Sequence, residues 1–276
     1  MITDLARTFD VDNVALAWDR WGDASGVPLL LCHGFSGSAH DFALQIEQLA
    51  SRRGVVALDH RGHGQSEKVR HESGYSIDRL ASDLIALVDA KVGGPVDLLG
   101  HSMGGAISLR VALERPDLVR SLILMDTSAW QFAPDDPAMK AMFTQFFAGY
   151  DPAHGLPDLS ALAGPETALI ERATPLDWQA IKADQDAAFD PWAMKALGRC
   201  LFDDATISVR DRLPSIACPV TVIVGELDEP FAKQAPALAA EVPQGHLSVI
   251  GGAYHSPQLT HSDAWLAALE GHLARV

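Results

Sequence analysis

The sequence predicts an α/β protein built on a mostly parallel, doubly wound sheet. Three observations carry this reading. Short apolar runs of strand length recur at 29–32, 55–58, 96–99, 122–125, 220–224 and 247–250. They lack the alternation of a half-exposed sheet, and continuous apolar strands belong to parallel sheets covered on both faces. Between several of them the apolar residues fall at helical spacing, and strands alternating with helices build doubly wound sheets. One strand also breaks abruptly, in Gly100-His101-Ser102-Met103-Gly104-Gly105, the pattern of a sharp strand-to-helix turn.

Taken in order, the first 23 residues, with Val14-Ala15-Leu16-Ala17-Trp18, are expected to form an antiparallel edge hairpin. The run 29–32 leads into His33-Gly34-Phe35-Ser36-Gly37 and then a helix with Phe42, Ile46 and Leu49 at i, i+4, i+7. The run 55–58 opens a Gly-rich loop, Asp59-His60-Arg61-Gly62-His63-Gly64-Gln65-Ser66, and Leu80, Leu84, Leu87 and Val88 mark the next helix. After Thr127 the alternation stops. From about 130 to 206 no strand is apparent, and helices are expected at 136–149, 165–173, 175–187 and 190–202, separated by Pro and Gly. The strand–helix rhythm resumes after Cys218-Pro219 and ends in an amphipathic helix. The expected organisation is a core of 1–129 and 207–276 with a helical cap, 130–206, inserted after a strand. Ligands of open α/β sheets bind beyond the carboxyl ends of the strands, so the insertion is expected to cover the site.

Composition narrows the function classes. Lys plus Arg is 21 against 36 Asp plus Glu, a net charge of −15. That field repels nucleic acid and anionic lipid, and no basic run is present, so neither partner is expected. Cys32, Cys200 and Cys218 are an odd, widely spaced set, which suits reduced thiols in a cytoplasmic protein. No stretch approaches 18 apolar residues and the first residues carry no apolar leader, so neither a membrane span nor a signal peptide is expected.

The chemistry centres on Ser102. A serine hydroxyl is a weak nucleophile at neutral pH, so it needs a base within reach and a carboxylate to orient the base. Of 11 histidines, His255 is best placed, in Gly251-Gly252-Ala253-Tyr254-His255-Ser256-Pro257 between the last strand and the last helix. His33, His60, His63 and His101 sit in motifs of their own, while His40, His71, His154, His246, His261 and His272 read as surface or loop residues. Asp228, four residues past the run 220–224, is the expected acid, and Asp126, Glu226 and Glu229 compete for the role. The order Ser, Asp, His is the one expected on this architecture. Oxyanion stabilisation needs two donors, for which the backbone N–H groups of Met103 and Phe35 are expected. The Gly-rich loop 59–66 reads as a braced turn, because it has no zinc-spaced ligand set and no phosphate-binding fingerprint. No metal or cofactor is expected. The stripe Met139, Met142, Phe143, Phe146, Phe147 and Tyr150 packs something apolar, either the insertion's own core or a substrate pocket.

Together these motifs resemble the α/β-hydrolase superfamily, from His33-Gly34-Phe35 through Gly100–Gly105 to Asp228 and His255. The resemblance is to the capped serine esterase, lactonase and C–C hydrolase branch. It implies an eight-stranded sheet with helices on both faces and an all-helical cap between strands six and seven. It also implies Ser102 as nucleophile, His255 as base, Asp228 as orienting acid and an oxyanion hole from Phe35 and Met103. Haloalkane dehalogenases and epoxide hydrolases of this fold carry Asp where Ser102 stands, and many C–C hydrolases carry Asn where His101 stands. The expected activity is hydrolysis of small to medium, partly apolar carboxylic esters through an acyl-enzyme. Trp130, Phe143, Phe146, Phe147, Trp178 and Trp192 are the expected pocket residues. Lactone opening or C–C hydrolysis are the alternatives, and a cap arginine (Arg172 or Arg199) facing Ser102 would favour a carboxylate-bearing substrate. A receptor with negligible turnover is the alternative of another class.

Overall fold

A computed structural model describes residues 4–23, 25–132, 136–158 and 164–276. Eight strands form one sheet in the order β1-β2-β4-β3-β5-β6-β7-β8. They are β1 (Arg7–Val11), β2 (Val14–Trp21), β3 (Leu29–Cys32), β4 (Val55–Leu58), β5 (Val96–His101), β6 (Val119–Met125), β7 (Val220–Gly225) and β8 (Gly245–Ile250). The hairpin β1–β2 is antiparallel and joins β4 antiparallel, and every later pairing is parallel. The helices are α1 (Ala43–Ala50), α2 (Ile77–Leu87), α3 (Met103–Glu114), α4 (Pro137–Gly149), α5 (Pro165–Ala173), α6 (Leu176–Ala187), α7 (Pro191–Leu201), α8 (Asp204–Ile207), α9 (Phe231–Glu241), α10 (Pro257–Thr260) and α11 (Ser262–Leu273). None of the described helices is long and apolar enough to cross a membrane.

The apolar strands are explained by two cores, one on each sheet face. Alternate residues of a strand point to opposite faces. Leu30, Val56, Leu58, Leu98, Leu122 and Leu124 pack with Leu80 and Leu84 of α2, Ile107 of α3 and Leu238 of α9. Leu29, Leu31, Val55, Ala57, Leu99 and Ile123 pack on the other face, against Ile46 and Leu49 of α1 and Trp265 and Leu269 of α11. Each fully buried Leu or Ile contributes about 1.5–3 kcal/mol of transfer free energy, which is why no polar alternation survives in these strands.

Several expectations need correction. The run 247–250 is not covered on both faces: β8 closes the sheet, and Val249 is 55% exposed. An edge strand has only one neighbour, so its outer residues keep contact with water. His40 and His272 are not surface residues but buried. His272 sits on the inner face of α11, where Nδ1 bonds the Thr221 hydroxyl at 2.8 Å. Cys218 precedes β7 and is only half-buried, whereas Cys32 is fully buried, its thiol pushed up to about 12 by desolvation. The four helices expected in the insertion are present as α4 to α7, each within two residues of the expected bounds. Parts of the 130–206 segment, 133–135 and 159–163, lie outside the described residues, as do residues 1–3 of the amino-terminal segment.

The loop 59–66 is braced by the contacts of its own Asp59 and Arg61. Asp59 accepts from the N–H groups of Ala39 (2.8 Å) and Gln65 (2.7 Å). Arg61 makes a bidentate pair with Asp83 of α2, both bonds 2.6 Å, with both side chains at most 2% exposed. Removing one partner leaves the other charge buried and unmatched. Asp83→Ala is therefore expected to lower stability by about 3–5 kcal/mol in urea unfolding, and an unchanged midpoint would contradict this account.

Candidate active site

Ser102 lies between β5 and α3 with φ 54° and ψ −120°. This is a left-handed φ that residues with a side chain rarely adopt, a strain on the order of 1–3 kcal/mol that the surroundings must hold. Two packed glycines allow it. A Cβ on Gly104 would stand 2.2 Å from the Cys32 carbonyl oxygen, and one on Gly100 would stand 2.4 Å from the Gly104 carbonyl oxygen. The start of α3 can approach the end of β3 only because Gly104 has no side chain, and it can approach β5 only because Gly100 has none. The turn is pinned from the β6 side: the Ser102 N–H donates to the Met125 carbonyl (2.9 Å), and the Thr127 hydroxyl donates to the Ser102 carbonyl (2.6 Å).

His255 and Asp228 arrive on separate loops. His255 Nδ1 and Asp228 Oδ2 are 2.8 Å apart, which leaves Nε2 as the ring's free position. Burial alone would lower the His255 pKa, but the Asp228 charge and hydrogen bond, with the Glu166 charge, outweigh it and raise it above the ordinary value of 6.5. The His255 loop is held from below by His101, whose Nε2 lies 2.8 Å from the His255 carbonyl oxygen and, facing that acceptor, donates to it. Burial first, then the nearby His255, push His101 down to about 3, so it remains a neutral ring. The expectation that His101 belongs to its own motif omitted this reach across 154 residues.

Asp126, the competing acid, is fully buried after β6 with φ 47°. Its Oδ1 accepts from the Gly225 N–H at 2.8 Å. Burial, then the Asp228 charge, push its carboxyl well above the ordinary range. The two acids therefore differ in place: Asp228 faces the imidazole, and Asp126 stands behind it, bonded to the Gly225 N–H.

Ser102 and His255 line one cavity of about 330 Å³, with Gly34, Phe35, His101, Ile170, Trp178 and Leu259 among its other walls. This falls in the range of small-molecule sites. A Cβ on Gly34 would lie 3.1 Å from the Ser102 Cβ, so the loop carrying Phe35 runs directly beside the serine. Met103 opens α3, where N–H groups are unpaired within the helix and point outward. His33 braces the same loop: Nε2 accepts from the His60 N–H (3.0 Å), and Nδ1 donates to the Gly34 carbonyl (2.9 Å).

Of the expected pocket residues, Trp178 lines this cavity and the others do not. Trp130 lines a separate depression, under the Arg210 guanidinium at 4.4 Å. Phe143 stacks on Phe202 at 4.6 Å, and Phe146 stacks on Tyr150 at 6.0 Å. Phe147 meets Phe35 edge-on at 6.2 Å and so touches a wall of the cavity from behind. Trp192 is half-buried against the core. The aromatic part of the stripe is largely the insertion's own packing, whereas Met139 and Met142, expected to pack with it, are 36% and 49% exposed.

The sequence reading missed the polar wall. Trp178, Lys182 and Gln185 lie at i, i+4, i+7 along α6, and that spacing was the available signal. Trp178 Nε1 donates to the His40 carbonyl (3.1 Å), His40 Nε2 donates to the Trp178 carbonyl (3.0 Å), and their rings stack at 5.1 Å. Lys182 pairs with Asp186 and lies 3.8 Å from Asp41, and the Ser38 hydroxyl donates to Gln185 Oε1. Glu166 of α5 also went unnoticed: its Oε1 accepts from the Ser256 N–H at 2.6 Å. Among the described residues, no group of three or more His, Cys, Asp or Glu side chains converges in a metal-holding arrangement.

Comparison with known proteins identifies the fold family. The alpha/beta hydrolase fold family matches residues 27–262, and the chain belongs to that family. The chain is 28% identical to a 2-(acetamidomethylene)succinate hydrolase of Mesorhizobium japonicum, over 93% of this chain and 92% of the relative. Several other curated relatives are matched over less than half their own length, 41–45% in three cases, and one over 68%. Among solved structures, a thermophilic esterase from Thermogutta terrifontis aligns with a TM-score of 0.77 at 25% identity, covering 97% of this chain and 96% of the other. An N-acyl homoserine lactone degrading enzyme aligns with a TM-score of 0.75 at 25% identity, covering 96% and 99%.

Gly104→Ala should test the turn. Its Cβ has no space beside the Cys32 carbonyl, so a loss of about 1–3 kcal/mol is expected in thermal or denaturant unfolding. A fully stable variant would mean that the turn tolerates a wider approach.

Proposed function

We propose that this chain is a serine hydrolase of carboxylic esters, acting through an acyl-enzyme on small to medium substrates. The observation that carries the reading is the 2.8 Å contact between Asp228 and His255 at a cavity that His255 shares with Ser102. In this reading His255 Nε2 takes the Ser102 proton as the hydroxyl attacks the ester carbonyl. The resulting imidazolium protonates the leaving alcohol, and the neutral ring later activates water against the acyl-enzyme. Asp228 fixes the proton on Nδ1, so that Nε2 carries the lone pair. The backbone N–H groups of Phe35 and Met103 are the proposed donors to the oxyanion, each worth about 3 kcal/mol of barrier. The helices α4 to α8 act as the cap, with α5 and α6 supplying Ile170 and Trp178 as an apolar wall. Free thiols fit a cytoplasmic setting.

Lactone opening uses the same steps, and the likeness to the lactone-degrading structure supports it as a second reading. A carboxylate-bearing substrate would be favoured by a cap arginine at the serine. Arg199 instead pairs with Glu72 in a different depression, and Arg172 is exposed on α5.

Ser102→Ala is expected to abolish hydrolysis of p-nitrophenyl butyrate while the circular dichroism spectrum stays native, and unchanged turnover would remove Ser102 from the nucleophile's role. The pH profile follows from the raised His255 pKa. The base works only when neutral, so kcat/KM should fall as pH drops through a midpoint above 6.5. Asp228→Asn should cost about 10⁴-fold in kcat, far more than Asp126→Asn; the reverse ranking would place the working acid on β6.

A further inference from the structure

The cavity beside Ser102 carries three charged side chains that the hydrolytic steps do not use. Asp41, Lys182 and Asp186 line it together. Lys182 is the single Lys or Arg among its lining residues, and its side chain is 24% exposed. It is already committed, in an i, i+4 ion pair with Asp186 and at 3.8 Å from Asp41. The two carboxylates keep the ammonium protonated against the opposing effect of burial. One ammonium therefore faces two carboxylates. Asp228 behind His255 and Glu166 at the Ser256 N–H add negative charge on the other side.

We propose that this wall selects substrates by charge. The site takes esters or lactones whose far end is uncharged or cationic, and Asp41 and Asp186 exclude those bearing a carboxylate. The inference rests on the hydrolase reading above and adds a substrate class to it. An incoming carboxylate would have to displace Asp186 or Asp41 from Lys182, or sit among like charges in a partly desolvated cavity. Like-charge juxtaposition in such surroundings is costly, and exclusion of this kind is a common route to specificity. A rival role for Lys182, as the anchor of a substrate carboxylate, would leave it with fewer than two acidic partners. The apolar residues Ile170, Trp178 and Leu259 complete the cavity, so an uncharged far end finds apolar surface beside the charged wall.

The test compares p-nitrophenyl esters of one length: the hemisuccinate, its uncharged methyl ester, and a trimethylammonio-butyrate. The methyl ester is expected to exceed the hemisuccinate by roughly tenfold or more in kcat/KM, with the cationic ester not disfavoured. Asp186→Asn and Asp41→Asn should narrow the ratio of neutral to anionic rates several-fold, whichever way absolute rates move. Added salt should narrow it in the wild type. Asp186 is the more exposed of the two, and its variant alone suffices if Asp41→Asn does not fold. Equal or faster turnover of the hemisuccinate, or a ratio unmoved by Asp186→Asn, would overturn the proposal. If no ester is turned over, the hydrolase reading fails separately. The charge rule is then read by NMR titration of Ser102→Ala with dimethyl and monomethyl succinate, where tighter binding of the diester supports it and equal or tighter binding of the monoester sinks it.

Discussion

The turn at Ser102 is the constraint to which its neighbours conform. A side-chain-bearing residue is held at φ 54° only because β3, β6 and α3 close on it from three directions. The same closeness fixes everything else. Gly34 lies against the serine, so the loop after β3 must run beside it. The Ser102 N–H is tied to β6, so the ends of β5 and β6 stay level. Local strain is thereby supported by a sheet with leucine and isoleucine packed on both faces.

Electrostatics around His255 depend on separation rather than on accumulation. Two acids follow adjacent strands, and burial pushes the carboxyl of the deeper one, Asp126, well above its ordinary range. Asp228 bonds the ring directly, and the Glu166 charge acts on it in the same sense. His101, a neutral ring, supports the loop through a hydrogen bond that costs no charge in the interior. A charged histidine at that depth would demand its own counter-ion.

The sheet was legible in the sequence because burial on both faces removes polar residues from strands, and such runs stand out. The partners Ser102, Asp228 and His255 were legible because each follows a strand on the same edge. What stayed hidden was tertiary. Nothing local in His101 reports a bond to residue 255, and His40 sits in a polar stretch that gives no sign of stacking beneath Trp178. The aromatic stripe of α4 was ambiguous for a physical reason: periodicity shows that a face is covered, not by what. Phe143 is covered by Phe202 and not by a ligand-sized space.

The bonding of α6 to residues 38–41 has a consequence for how this architecture diversifies. Trp178, Lys182 and Gln185 reach the stretch that directly follows Phe35. Replacing the inserted helices by those of a cousin would discard these fittings as well as the Ile170 and Trp178 wall of the cavity. In this chain the insertion is therefore not an interchangeable module: a graft that alters what enters would also unsettle the backbone expected to steady the charge that develops on the substrate.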